Sequence, residues 1–173
     1  MDGIVTIYLV VPLLAIVAIL QATIVPRLTI WGVFADLPLL VVVSWGLLRG
    51  PREGILWGFV AGLAVDLFSG APFGAATLAL IAVGFLAGLG HAAMYRAHLA
   101  LSMVVMFLAT IVYDLLFLLV VGIVGDPVAW RAVRDSFVHL ILPSALLNAV
   151  LTPLILLSMR WLYTRFGREK MEL

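Results

Sequence analysis

The chain has 173 residues, 65% of them hydrophobic and only 11% charged, with a formal net charge of +1 and a mean hydropathy of +1.27. A water-soluble domain of that size needs far more charge to cover its core, so soluble enzymes and soluble binding modules are excluded and an integral membrane protein is expected. No cysteine is present, which rules out disulfides, thiol chemistry and cysteine-ligated metal.

Taken in order, the apolar runs give about six membrane helices forming a single polytopic domain over residues 1–173. The first runs from about Ile4 to Val25, with Pro12 as a kink and Gln21 as a polar group that needs a protein neighbour. Its N-terminal flank, Met1-Asp2-Gly3, lacks the basic segment of a cleavable signal, so this helix is expected to be retained. Pro26 ends it, and Arg27 to Asp36 reads as irregular or interfacial, with Trp31 and Phe34 suited to the headgroup level.

The second helix, Leu37 to Leu48, spans roughly 18 Å at 1.5 Å per residue, short for a hydrocarbon core of about 30 Å. Either its ends extend to Val33 and to a snorkelling Arg49, or the second and third helices form a re-entrant hairpin. The hairpin would hold Arg49, Arg52 and Glu53 near mid-membrane, so two full spans joined by a surface turn at Arg49 to Gly54 are preferred, with Arg49 and Arg52 as cytoplasmic anchors. The third helix follows from about Ile55 to Phe68 and turns back through the uncharged Ser69 to Gly74. A fourth helix runs from about Ala75 to Met94, and a fifth, the longest, from about Leu99 to Val124.

Gly125-Asp126-Pro127 breaks the fifth helix. Beyond it, Arg131, Arg134, Asp135 and His139 alternate at helical spacing with Trp130, Val133, Phe137 and Leu140, the pattern of a short amphipathic helix near 128–140 on the membrane face. The sixth helix spans about Ile141 to Tyr163 and contains Asn148 and Pro153. With six spans, seven of the ten Lys and Arg residues fall on the side of the two termini and three on the other, which places both termini in the cytoplasm.

Few residues in these helices are chemically costly. Gly54, Gly58 and Gly62 recur four apart on the third helix, and Gly84 and Gly88 form a second such pair on the fourth. Small residues at that spacing let backbones approach closely, within the bundle or against a partner helix. Asp66 and Asp114 lie inside apolar runs, where a carboxylate costs roughly 2.5 to 3.5 kcal/mol and therefore faces protein or a water-filled cavity. Together with Gln21 and Asn148 they are the buried polar groups whose role is structural or functional. His91, His98 and His139 lack neighbours at metal-ligand spacing, and no nucleophile elbow, phosphate-binding loop or dinucleotide fingerprint occurs. No catalytic residue, cofactor or metal, and no nucleic-acid partner, is expected.

The order of motifs is informative where the motifs singly are not. Asp36 ahead of a Leu/Val-rich span, then Trp45 to Glu53 (WGLLRGPRE), Gly58 to Asp66 (GFVAGLAVD), Ser69 to Gly74 (SGAPFG) and a later Tyr113-Asp114 resemble the rod shape-determining protein MreD family. The resemblance is most specific over Asp36 to Gly88. It implies a non-enzymatic multi-pass protein of the bacterial cytoplasmic (inner) membrane, part of the elongation machinery that builds the peptidoglycan wall. It also implies direct binding to the single-span protein MreC, and through it links to MreB, RodA and penicillin-binding protein 2. A fold similar to the substrate-binding membrane subunit of energy-coupling-factor transporters follows from the same resemblance.

On this reading the glycine faces meet the MreC span, and possible homo-oligomer contacts, while the acids hold polar contacts. The alternative is a small-ligand or ion transporter or binding subunit that uses Asp66 and Asp114. An intramembrane enzyme acting on lipid-linked precursors has no nucleophile and base to support it.

Overall fold

A computed structural model describes residues 34–94, 99–124 and 140–167, together with residues 14, 16, 17, 19–21 and 23 of the first apolar run. The described elements are all helical: α1 (Leu37–Arg49), α2 (Pro51–Ser69), α3 (Ala75–Leu89), α4 (His91–Met94), α5 (Leu99–Val124) and α6 (Leu142–Gly167). The described residues of the first run are helical as well, and Leu14 and Val17 pack into the common core. Pro12, and all but Leu140 of the amphipathic segment expected near 128–140, lie outside the described residues.

The shortest of the five principal helices is the hub. α1 has 13 residues, about 20 Å of helix at 1.5 Å per residue, and ten of them are buried. It touches every other described helix, with Leu39, Leu40, Val42 and Val43 fully enclosed. A helix surrounded on all sides can be apolar all round, which is why LPLLVVVSWGLL shows no polar stripe.

The outer helices obey the rule of a lipid solvent, with small and polar residues inward and large aliphatics outward. On α5 the buried positions are Ser102, Met106, Ala109, Thr110 and Tyr113, one stripe at helical spacing, while Leu101, Val104, Leu108, Leu115 and Leu119 are exposed. On α6, Ala145, Asn148, Ala149, Thr152 and Leu156 are buried and Leu146, Val150, Leu154 and Leu157 are exposed. Leu99–Val124 and Leu142–Trp161 are the two described helices long and apolar enough to cross a membrane.

Three expected boundaries move, the simplest being the end of α6, which runs on from the expected Tyr163 to Gly167. Helix α2 begins at Pro51 rather than Ile55, so Arg52, Glu53 and Gly54 are helical and the turn from α1 shrinks to Gly50. Proline at the first helical position loses no bond there, and Gly50, at φ 94°, supplies the left-handed backbone that a side chain would resist. The expected fourth helix, Ala75 to Met94, is divided at Gly90 into α3 and the single turn α4.

Candidate functional site

The face of α2 that bears the glycines is filled from within the chain. A side-chain carbon at Gly58 would stand 2.5 Å from the carbonyl oxygen of Leu80, Gly54 is pressed against the Gly84 carbonyl, Gly62 against Thr77, and Gly88 against Pro51. The pairs 51 with 88, 54 with 84, 58 with 80 and 62 with 77 describe two antiparallel helices in backbone contact along their length. Gly46 of α1 completes the junction, its would-be side chain 2.8 Å from the Gly84 oxygen, so three helices converge on that one residue. All five glycines singled out from the sequence therefore pack against the chain's own backbone.

Asp66 is the next member of the same series, four residues beyond Gly62. Because the glycines bring α2 against α3, its short side chain reaches the start of α3. One carboxylate oxygen accepts from the Ala76 N–H at 2.9 Å; the other accepts from the Gly74 and Thr77 N–H groups, both at 3.0 Å, and from the Thr77 hydroxyl at 2.5 Å. The remaining early donors are met by the backbone, Ala75 N–H to the Pro72 carbonyl and Leu78 N–H to that of Gly74. A carboxylate at a helix N-terminus is favoured both by these donors and by the helix dipole. Asp66 is 5% exposed and has every bond it needs inside this chain.

The start of α1 is satisfied by the same logic from three separate segments. Gln21 Oε1 accepts from the Leu37 N–H at 3.0 Å, Asn148 Oδ1 from the Asp36 N–H at 3.1 Å, and Asp36 Oδ1 from the Leu39 N–H at 3.0 Å. Pro38 has no N–H to satisfy, and Leu40 N–H closes on the Asp36 carbonyl. Gln21 and Asn148 thus act as distant caps on the start of α1.

At the opposite end of α1, Glu53 joins the two helices. Its Oε2 accepts from the indole N–H groups of Trp45 and Trp57, each at 3.0 Å, while Oε1 lies 3.6 Å from Arg49. Arg49, expected with Arg52 as a cytoplasmic anchor, is thereby tied to α2, whereas Arg52 is exposed. His91 Nδ1, 2.9 Å from the Leu47 carbonyl oxygen, caps the last turn of α1 as an N–H donor.

Asp114 stands apart from these satisfied groups. It lines a half-open cleft of about 250 Å³ with Asp36, Thr110, Ser144 and Asn148, walled by Phe34 and Phe117 among others. Asp66 does not line this cleft, so the two acids taken together in the sequence reading do not share a site. Among the described residues nothing donates a hydrogen bond to the Asp114 carboxylate.

The residues that sequence reasoning missed are Asp36, Glu53, Thr77, Thr110 and Gly46. Asp36 was legible as Asp-x-Pro before an apolar run, an N-cap signature, and Glu53 as one turn from both Arg49 and Trp57. Thr110 gave no signal, since a hydroxyl in a long apolar helix commonly bonds its own backbone.

A model of the family described as rod shape-determining protein MreD matches residues 3–166, nearly the whole chain. The chain belongs to the MreD family. This is a family of membrane proteins with a role in rod shape determination, and it is not known as an enzyme family. None of the curated proteins compared and none of the solved structures matches the chain. The features that resembled MreD in the sequence occupy structural junctions here: WGLLRGPRE is the α1–α2 hinge with its Trp-Glu-Trp bridge, and GFVAGLAVD is the glycine face ending in Asp66.

Proposed function

We propose that this protein is a non-enzymatic scaffold of the bacterial cell-elongation machinery, with six spans and both termini in the cytoplasm, that binds MreC directly. Through MreC it is linked to MreB, RodA and penicillin-binding protein 2, and so to the placing or regulation of peptidoglycan synthesis in the inner membrane. The observation that supports this reading is the family match over residues 3–166.

On this reading the partner docks away from the glycine faces. Gly54, Gly58, Gly62, Gly84 and Gly88 are used in closing α2 on α3, so the surface left for a partner span is the aliphatic exterior rather than a glycine groove. The outward rows of α5 and α6 offer such a surface. Because lipid tails solvate leucine as well as protein does, binding there depends on shape and on added polar contacts, and not on hydrophobic burial.

The test is purification of the tagged protein from native membranes in mild detergent, with photo-crosslinking residues placed singly at Leu108, Leu119 and Leu154. MreC should be recovered, and at least one position should crosslink to it. If MreC is absent while the protein is folded and monodisperse, the direct-partner reading fails. Complementation is the second arm: the chain should restore rod form to cells that have lost their own MreD and have rounded.

A further inference from the structure

The cleft at the start of α1 and α6 shows an imbalance between donors and acceptors that identifies what it can hold. Thr110 turns its hydroxyl hydrogen to the Met106 carbonyl at 3.0 Å, and Ser144 turns its own to the Leu140 carbonyl at 2.7 Å. The Asn148 amide uses its oxygen on the Asp36 N–H and donates to Thr110 Oγ1 at 3.3 Å, retaining a single N–H. Asp36 uses Oδ1 on the Leu39 N–H. Among the described residues, what remains is nearly all acceptor: the second oxygen of Asp36, both oxygens of Asp114 and the lone pairs of Ser144.

The space is also real on a molecular scale. A cleft of about 250 Å³ is some eight times the roughly 30 Å³ that one water takes up in the liquid. Hydrocarbon makes a poor occupant, since it would leave an unbonded carboxylate facing lipid. Among the described residues no three acidic or histidine side chains converge, so the six to eight oxygen ligands of a divalent ion are not assembled here. The complement of two carboxylates and a hydroxyl oxygen is a compact cation bearing several N–H donors, and the walls of Phe34 and Phe117 suit a cation's short carbon stem.

We propose that the Asp36–Asp114 cleft binds a primary ammonium group, presented by an aminophospholipid headgroup or by a free amine. Asp114 accepts two of its N–H bonds and Asp36 the third, while Asn148 and Thr110 hold the floor of the cleft through their mutual bond. This goes beyond the scaffold role and does not depend on it.

The experiment uses the full chain in nanodiscs and reads thermal unfolding. Phosphatidylcholine discs are the reference, because their quaternary ammonium has no N–H to give. In one arm phosphatidylethanolamine replaces part of the phosphatidylcholine; in the other, ethanolamine is titrated into phosphatidylcholine discs. The melting temperature should rise in the first arm alone if the source is a lipid headgroup, and in both if a free amine enters. In Asp114→Asn the apparent affinity should fall about tenfold or more, the loss expected when one charge-assisted hydrogen bond is removed. Asp36→Asn keeps an oxygen for capping Leu39 and should weaken binding likewise, which preserves the test if Asp114→Asn does not fold. No rise in either arm, or the same rise in the two variants, overturns the assignment.

Discussion

Replacing Asp66 with asparagine separates a structural carboxylate from one kept for cargo. The side chain is nearly isosteric, yet it offers one acceptor oxygen where the carboxylate offers two. If that oxygen takes the place facing Gly74 and Thr77, the new amide N–H₂ is driven against the Ala76 N–H, two donors at the 2.9 Å formerly held by a hydrogen bond. The reverse orientation is worse, since it abandons three donors instead of one. Losing one charge-assisted bond and stranding one buried N–H costs about 2–3 kcal/mol. For a chain of this size that corresponds to a fall in melting temperature of about 5–10 °C.

The measurement is fluorescence-detected gel filtration of detergent-solubilised protein after heating, wild type beside Asp66→Asn and Asp66→Ala. The alanine variant, which strands all three N–H groups and the Thr77 hydroxyl, should be the less stable of the two. An Asp66→Asn protein melting within 2 °C of wild type would sink the capping account, and a functional acid would have to be considered in its place.

Three further outcomes follow from the same packing. Gly58→Ala puts a methyl 2.5 Å from the Leu80 carbonyl oxygen, both groups being backbone-fixed, so α2 and α3 must part and stability should fall by about 1–3 kcal/mol; a stable Gly58→Ala in the same heating assay would show that the seam is looser than described. Asn148→Leu leaves the Asp36 N–H without its acceptor and should cost about 1–3 kcal/mol, whereas the exposed neighbour Val150→Leu should change stability by less than about 0.5 kcal/mol. Glu53→Gln weakens both indole bonds in a site that is partly open to solvent, an effect of about 1 kcal/mol; the tryptophan emission of the folded protein should shift with it, and an unchanged spectrum would count against the bridge.

Much of the architecture was legible because lipid makes apolar length informative. The fifth helix was read as Leu99 to Val124, and all 26 of those residues are helical, since nothing among them offers a place to stop. The start of α2 was missed because Arg52 and Glu53 were weighed as surface charges, while Pro51 is a helix opener and Glu53 faces two indoles. Gly54, Gly58 and Gly62 announced a close helix contact but not which helix makes it. That choice belongs to the loop: five residues from Gly70 to Gly74 return the chain directly alongside, so the nearest helix to fill the groove is the next one. Asp114 could be recognised as costly from its surroundings, but its cleft mate, Asp36, lies 78 positions earlier and no periodicity links them.

The polar residues at the starts of α1 and α3 share one cause. α1 and α3, at 13 and 15 residues, measure about 20 and 22 Å, less than the roughly 30 Å of a hydrocarbon core. Their first turns start against other segments of this chain, part-buried at α1 and buried at α3, and a buried donor left unsatisfied there costs about 1–3 kcal/mol. Asp66 answers for α3; Asp36, Asn148 and Gln21 answer for α1. Once those acids and amides are assigned to helix starts, and Glu53 to its two indoles, Asp114 is the one carboxylate among the described residues that accepts no hydrogen bond. Its position is therefore unexplained by the needs of the fold, and the acceptor-lined cleft beside it is where a role other than folding must be sought.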